Sequence, residues 1–269
     1  MPEFTAHDVQ ALRNLTGAGM MDAKRALTES DGDSAAAAKW LRERGLGKAA
    51  ERAGRESTEG AVAVSYDKAA NAIALVQLRS ETDFGAKSPD FVNLVNELAA
   101  LVAAEGEDAV DQRKAAIEDL NIITKENVQL GEVIRFQAAP GNVVDSYLHV
   151  QNDRGVNGVI VELHGGDQQL AHDLAVHIAF GKPRYLRRED VPAPEVEAER
   201  ATLEAATRNE GKPEAALPKI VEGKLNGWYK RVPGGVLLEQ PYAKDESQVV
   251  GKVLGSAQVV RFAQVVIGG

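Results

Sequence analysis

Residues 60–66 read GAVAVSY and residues 141–147 read GNVVDSY, so Gly, Ser and Tyr recur at the same spacing in two parts of the chain. A strand-like run follows each stretch, at 73–78 and at 159–163, and a helical pattern follows each run. In the second copy, more residues separate the Gly-to-Tyr stretch from the strand-like run, which predicts a longer hairpin turn at residues 151–157. We therefore predict a pseudo-duplicated α+β core with antiparallel sheets, the alternative being chance similarity between short strand patterns.

The residues before the repeat predict three short helices. Thr5 and Asp8 are placed to form a capping box at the start of the first helix. The third helix is expected to end at Gly45 and Gly47. Because apolar residues recur at helical spacing in all three, we predict a small N-terminal bundle. The charged segment 48–59 predicts a helical or flexible linker.

Two further helical patterns interrupt the second copy. They lie on either side of Gly211-Lys212-Pro213 and predict a helical hairpin inserted at residues 192–232. Beyond the hairpin, residues 236–238 and 259–262 predict strands that return to the core, and residues 249–254 predict a short helix. The predicted domains are an N-terminal three-helix domain (1–54), a first core subdomain (55–139) and a second core subdomain (140–269).

Composition excludes several classes of protein. Of the 269 residues, 44% are hydrophobic and 26% are charged, which is ordinary for a folded globular protein. A formal charge of −9 disfavours general nucleic-acid binding, because such binding depends on Lys and Arg side chains. The absence of cysteine excludes disulfide scaffolds, thiol catalysis and cysteine-bound metals. Because the sequence has neither a signal-peptide pattern nor a long apolar run, we expect a cytoplasmic protein without membrane contact.

No catalytic site can be assembled from recognised motifs. The histidines form no metal-binding pattern, and we expect them to be solvated or at the edge of the core. They are His7, His149, His164, His172 and His177. The chain has neither a glycine-rich nucleotide loop after a strand nor a nucleophile elbow. We therefore expect no enzymatic activity, no cofactor and no resident metal.

One polar segment stands out at residues 80–87 (SETDFGAK), between a buried strand and a capped helix. Its aromatic residue, Phe84, has two interpretations. It can fold back on the following helix as a hydrophobic staple. Alternatively, Phe84 is an exposed anchor for another protein, because it lies well before the predicted cap Ser88 and is flanked by Asp83 and Gly85.

Several motifs match the signatures of one known family. The run at residues 12–27 (LRNLTGAGMMDAKRAL) matches an N-terminal signature, and Thr82-Asp83-Phe84 matches the centre of a second one. Further matches are Ser146-Tyr147-Leu148-His149, Gly211-Lys212-Pro213 and Val221-Glu222-Gly223-Lys224-Leu225. The chain departs from the second signature at Gln77, Arg79 and Gly85, where the family has Glu, Asn and Val. On these residues the chain resembles bacterial translation elongation factor Ts along nearly its whole length.

The resemblance implies a guanine-nucleotide exchange factor for elongation factor Tu, the GTPase that carries aminoacyl-tRNA to the ribosome. It implies that four residues form a wedge that disturbs the Mg²⁺ and phosphate site of this GTPase. The wedge consists of Thr82, Asp83, Phe84 and Gly85. The N-terminal bundle, which is similar to ubiquitin-associated domains, would contact the partner through Met20 and Lys24, and His149 would add a contact near the wedge.

The same resemblance implies binding to both GDP-bound and nucleotide-free elongation factor Tu, without direct nucleic-acid contact. A homodimer and a 2:2 complex are the alternatives for assembly. Two other classes of function stay open on the residues alone. An adaptor would bind a partner through the bundle and leave GDP release unchanged. A hydrolase using acidic residues is disfavoured, because no motif supplies a nucleophile or a base.

Overall fold

The structure is a computed structural model, and it describes residues 4–268. The helices are α1 (Ala6–Thr16), α2 (Met20–Glu29), α3 (Ser34–Arg52), α4 (Asp83–Ala86), α5 (Pro89–Glu105), α6 (Lys114–Thr124), α7 (Gln168–Gly181), α8 (Ala193–Asn209), α9 (Leu217–Tyr229) and α10 (Val250–Val253). The strands are β1 (Glu59–Asp67), β2 (Ala72–Ser80), β3 (Gln129–Gln137), β4 (Asn142–Gln151), β5 (Arg154–His164), β6 (Pro241–Tyr242), β7 (Asp245–Val249) and β8 (Gln258–Val266).

The first three helices form the predicted bundle. Thr5 caps α1 through a capping box with Asp8, and Gly17 ends this helix in the left-handed conformation at φ 67°. The core of the bundle consists of Val9, Leu12, Ala23, Ala26, Leu27, Ala37 and Leu41. Because several of these side chains are alanines, the bundle buries little apolar surface of its own, and its packing against α6 adds to its stability.

The third helix is longer than predicted. α3 continues through Gly45 and Gly47 to Arg52, so these glycines do not end it. At Gly45 the helix approaches α6 closely, since a Cβ there would lie 2.7 Å from Ile122 Cγ2. This glycine therefore provides packing space instead of ending the helix. The next segment is docked on the core, where Asn127 Nδ2 donates 2.7 Å to one of its backbone carbonyls.

Two three-stranded antiparallel sheets form the centre of the molecule. Their strand orders are β1-β2-β3 and β4-β5-β8. The repeated tyrosines occupy equivalent positions, because Tyr66 pairs with Ile73 and Tyr147 pairs with Val159. The predicted α+β class, the antiparallel sheets and the repeated hairpin-and-helix arrangement are confirmed.

The wider spacing of the second copy does not come from a longer turn. The turn between β4 and β5 contains only Asn152 and Asp153, with φ values of 52° and 62°. The first hairpin has the longer turn, at residues 68–71. The extra residues lie within β4 and β5, whose pairing includes a β-bulge. The predicted long turn at 151–157 is wrong, because two residues with positive φ are enough to reverse an antiparallel pair.

The two sheets pack face to face, so both hairpins contain strands that are buried on both sides. In β2, Ile73 and Leu75 face the second sheet, whereas Ala74 and Val76 face α5. In β5, Ile160 faces the first sheet, and its neighbours on the strand face α7. The layers are therefore α5, first sheet, second sheet and α7. This packing gives the segments at the strand ends a rigid support.

The predicted helical hairpin is formed by α8 and α9. The predicted strand at 236–238 is wrong, because Leu237–Glu239 forms a 3₁₀ turn in which Leu237 is completely buried. The final strand and short helix are confirmed as β8 and α10. His177 is also buried, contrary to the expectation that it is solvated or at the core edge. None of the helices within residues 4–268 is long and apolar enough to span a bilayer.

Candidate partner-binding site

The segment between β2 and α5 is a one-turn helix instead of the predicted loop. This turn is α4, and the Thr82 hydroxyl at its start accepts a hydrogen bond from the Gly85 N–H at 3.2 Å. Ser88 caps the next helix, α5, and its hydroxyl donates to the Gly85 carbonyl at 2.8 Å. Hydroxyl groups therefore fix both ends of the turn.

Phe84 projects from this turn into solvent. The residue is 82% exposed, whereas the neighbouring Gly85 and Ala86 are buried. The hydrophobic-staple interpretation is wrong, because a staple would bury the ring against α5. The turn itself is thus seated on the core while its one aromatic side chain is left uncovered.

Asp83 and Lys87 form an ion pair beside the aromatic ring. Lys87 Nζ donates to the Asp83 carboxylate and lies 5.5 Å from the centroid of the Phe84 ring. The hydrogen bond from Lys87 holds the pKa of Asp83 below its ordinary value, and the charges of Lys87 and Arg154 act in the same direction. The Asp83 carboxylate is therefore ionised at neutral pH.

Position 85 requires glycine because a side chain has no room there. The backbone of Gly85 does not adopt a positive φ, so its conformation alone does not require glycine. A Cβ at Gly85 would lie 2.5 Å from Glu126 Oε2. Glu126 stands in the loop between α6 and β3. No motif pointed to Glu126, because only the folded chain brings it under the turn.

His149 lies on β4, in the hairpin whose tip approaches the wedge. Its ring stacks on that of Tyr147, with the centroids 6.3 Å apart, and Tyr147 in turn contacts the half-exposed Phe180. The β4–β5 hairpin is fastened to the first sheet by Arg154, which donates 2.8 Å to Glu59 Oε2. Glu59 pairs with Ser80, the last residue of β2, so the hairpin tip and the wedge lie at the same end of the sheets.

The N-terminal bundle exposes the other two predicted contact residues on α2. Met20 is 46% exposed, and Lys24 is also exposed. Leu15 and Met21 are still more exposed, so large apolar side chains are uncovered at the junction of α1 and α2. Apolar surface of this kind, rimmed by charge, is typical of a protein-binding surface. It borders a cleft of about 850 Å³ between the bundle and α6.

The predicted site residues are thus distributed over three elements. Thr82, Asp83, Phe84 and Gly85 form one turn, His149 lies on a hairpin at the same end of the sheets, and Met20 lies with Lys24 on the bundle. In the part of the chain that the structure describes, no three His, Asp or Glu side chains converge to hold a metal ion. The site offers exposed apolar and charged side chains that another protein can contact.

Comparison with known proteins agrees with the sequence motifs. A family model described as Elongation factor TS matches residues 81–269. A protein named Elongation factor Ts from Renibacterium salmoninarum is 43% identical over the whole of both chains, and one from Streptomyces griseus is 44% identical over the same extent. Another from Alkalilimnicola ehrlichii is 39% identical over 98% of this chain and 92% of its own. With its fold, its signatures and its full-length relatives in agreement, the chain belongs to the elongation factor Ts family of translation factors.

Proposed function

We propose that this chain is a guanine-nucleotide exchange factor for elongation factor Tu, and that Phe84 acts as the tip of its wedge. The observation that carries the proposal is the 82% exposure of an aromatic residue on a turn that is itself anchored to a buried strand and a capped helix. A rigidly held, uncovered aromatic side chain can enter a partner's surface at low entropic cost.

The charge of the GDP phosphates explains why a wedge of this kind would be effective. In a GTPase, Mg²⁺ and the phosphate-binding loop neutralise the clustered negative charge of the nucleotide. An aromatic ring that displaces the groups around Mg²⁺ weakens this neutralisation. GDP then dissociates faster, and no covalent bond is made or broken.

The coupling between nucleotide and exchange factor is reciprocal. If the factor weakens GDP binding by some ratio, GDP weakens factor binding by the same ratio, at about 1.4 kcal/mol for each factor of ten. The factor must therefore hold the nucleotide-free GTPase most tightly, which requires contacts away from the wedge. The exposed Met20 and Lys24 on the bundle and His149 on the second sheet are suited to supply them.

Release of a fluorescent GDP analogue from elongation factor Tu tests the proposal. In stopped-flow measurements, we expect the wild-type chain to accelerate release of the GDP analogue. The Asp83→Ala/Phe84→Ala variant should lose most of this acceleration. A matched control is Tyr66→Ala/Asp67→Ala, which removes a half-exposed aromatic residue and an acidic residue at the opposite end of β1. This control should accelerate release like the wild type.

Two results would contradict the proposal. If folded wild-type chain left GDP release unchanged, the exchange function would be wrong, and the adaptor hypothesis would be the one to pursue through the bundle. If the wedge variant and the control accelerated release equally, the exchange function would stand but the wedge assignment would be wrong.

A further inference from the structure

We infer that Glu126 is a positioning residue, whose carboxylate holds the wedge in the orientation that exchange requires. Glu126 is half-buried in the loop between α6 and β3, distant in sequence from the wedge it contacts. The inference rests on the proposed function, because it explains how Phe84 is aimed at the partner.

The carboxylate of Glu126 collects hydrogen bonds from the segment that leads into the turn. Its Oε2 accepts from Ser80 Oγ at 2.5 Å and from the Thr82 N–H at 3.1 Å, and its Oε1 accepts from Thr82 Oγ1 at 2.5 Å. The Thr82 hydroxyl hydrogen is thus committed to Glu126, which leaves the oxygen lone pairs free to cap Gly85 N–H. Glu126 therefore fixes the start of the turn directly and its end through Thr82.

The partners of Glu126 indicate positioning rather than an ion pair. Among residues 4–268, the hydrogen bonds to its carboxylate come from Ser80 and Thr82. Two basic side chains of the segments around the turn are paired with other carboxylates, Lys87 with Asp83 and Arg55 with Glu81. A carboxylate held by charge-assisted hydrogen bonds to a single segment fixes the geometry of that segment.

Glu126 can act as a fixed support because its own segment is docked on both sides. On the side of the bundle, Ile122 packs against Gly45, and the Asn121 carbonyl accepts from Arg52 at 2.9 Å. On the side of the wedge, the Asn127 N–H donates to Glu81 Oε1 at 2.7 Å. The carboxylate is therefore placed before any partner binds, as positioning requires.

Gly85 has no side chain and so leaves room for this carboxylate. A Cβ at Gly85 would lie 2.5 Å from Glu126 Oε2 and 2.8 Å from Cδ, which is closer than van der Waals contact allows. Adding a methyl group there would push the carboxylate away from Ser80 and Thr82. A side chain at position 85 and the carboxylate at position 126 therefore compete for the same space.

The first test compares Glu126→Ala and Glu126→Gln with the matched control Glu132→Ala, which removes an exposed carboxylate from β3. We expect Glu126→Ala to lower the maximal rate of GDP release at saturating factor by about ten-fold. The concentration that gives half of the maximal rate should change little, because the bundle contacts are intact. Glu126→Gln preserves the shape and part of the hydrogen bonding, so its maximal rate should lie between those of Glu126→Ala and the wild type.

The second test is a double-mutant cycle with Gly85→Ala. In the wild-type background this substitution should slow the maximal release rate about as much as Glu126→Ala does. In the Glu126→Ala background it should have no further effect, because the space is already empty. Thermal unfolding followed by circular dichroism checks that each variant is folded.

Failure of the inference is distinct from failure of the proposed function. If wild-type chain accelerates GDP release and Glu126→Ala matches Glu132→Ala, Glu126 does not position the wedge. Additive effects of Gly85→Ala and Glu126→Ala would also overturn the inference. If wild-type chain does not accelerate release at all, the proposed function fails first.

Discussion

The two copies of the repeated unit differ in how each hairpin is joined to the helix that follows it. In the first copy, residues 81–88 separate β2 from α5 and form the turn that carries Phe84. In the second copy, only residues 165–167 separate β5 from α7, and Asp167 caps α7 directly. The turn that carries Phe84 is therefore an elaboration of one connection on a framework that the two copies share. Connecting segments on a rigid scaffold often carry function, whereas the sheets provide the support.

Two phenylalanines of the first copy are expected to differ strongly in how much they contribute to the free energy of unfolding. Phe91 is completely buried on α5, whereas Phe84 is exposed on the preceding turn. We expect Phe91→Ala to lower the free energy of unfolding by about 3–5 kcal/mol through lost burial and a cavity. Phe84→Ala should change it by about 0.5 kcal/mol or less. Urea unfolding followed by circular dichroism measures both. Equal losses would mean that Phe84 packs on the core in solution.

The helices that follow the two hairpins also differ in their buried residues. The buried residues of α5 are all apolar, whereas α7 contains the buried His177. Nδ1 of His177 accepts from the Ala243 N–H at 3.2 Å, so Nε2 carries the proton and donates to Gln240 Oε1 at 3.0 Å. Burial lowers the pKa of His177, although the hydrogen bond with Gln240 opposes the shift. At neutral pH the folded protein therefore contains a neutral imidazole at this position.

The direction of the pH dependence follows from this lowered pKa. The unfolded chain, in which a histidine has an ordinary pKa of about 6.5, takes up a proton before the folded chain does. The contribution of neutral His177 to stability is therefore complete above that pH and is lost as the pH falls toward the folded-state pKa. We expect the free energy of unfolding to decline less steeply between pH 7 and 5 in His177→Gln than in the wild type. Identical slopes would show that His177 does not titrate differently in the folded protein.

Much of the fold could be predicted because period and spacing reflect the local backbone. The strands of both hairpins form where the sequence predicts them, and the Thr5 and Asp8 capping box forms as expected. Glycine was harder to interpret, since it can end a helix or permit close packing. Gly17 ends α1, whereas Gly45 lies inside α3 against Ile122. Only the tertiary contact distinguishes the two roles.

The candidate site was predictable only in part, for a similar reason. The residues that flank Phe84 do not determine whether its ring is buried or exposed. In the structure, Ala86 packs on the core and the ring of Phe84 lies in solvent. Glu126 could not be found from the sequence, because its contacts with Ser80 and Thr82 depend on how α6 docks. Residues that act by supporting a site carry no motif of their own.

Affinities for the two forms of elongation factor Tu show whether Phe84 couples factor binding to GDP release. Calorimetry gives the dissociation constants of the wild type and of Phe84→Ala for nucleotide-free and GDP-bound elongation factor Tu. For the wild type we predict much tighter binding to the nucleotide-free form, and for Phe84→Ala a ratio between the two constants that falls toward one. An unchanged ratio in Phe84→Ala would show that Phe84 does not couple the two binding events.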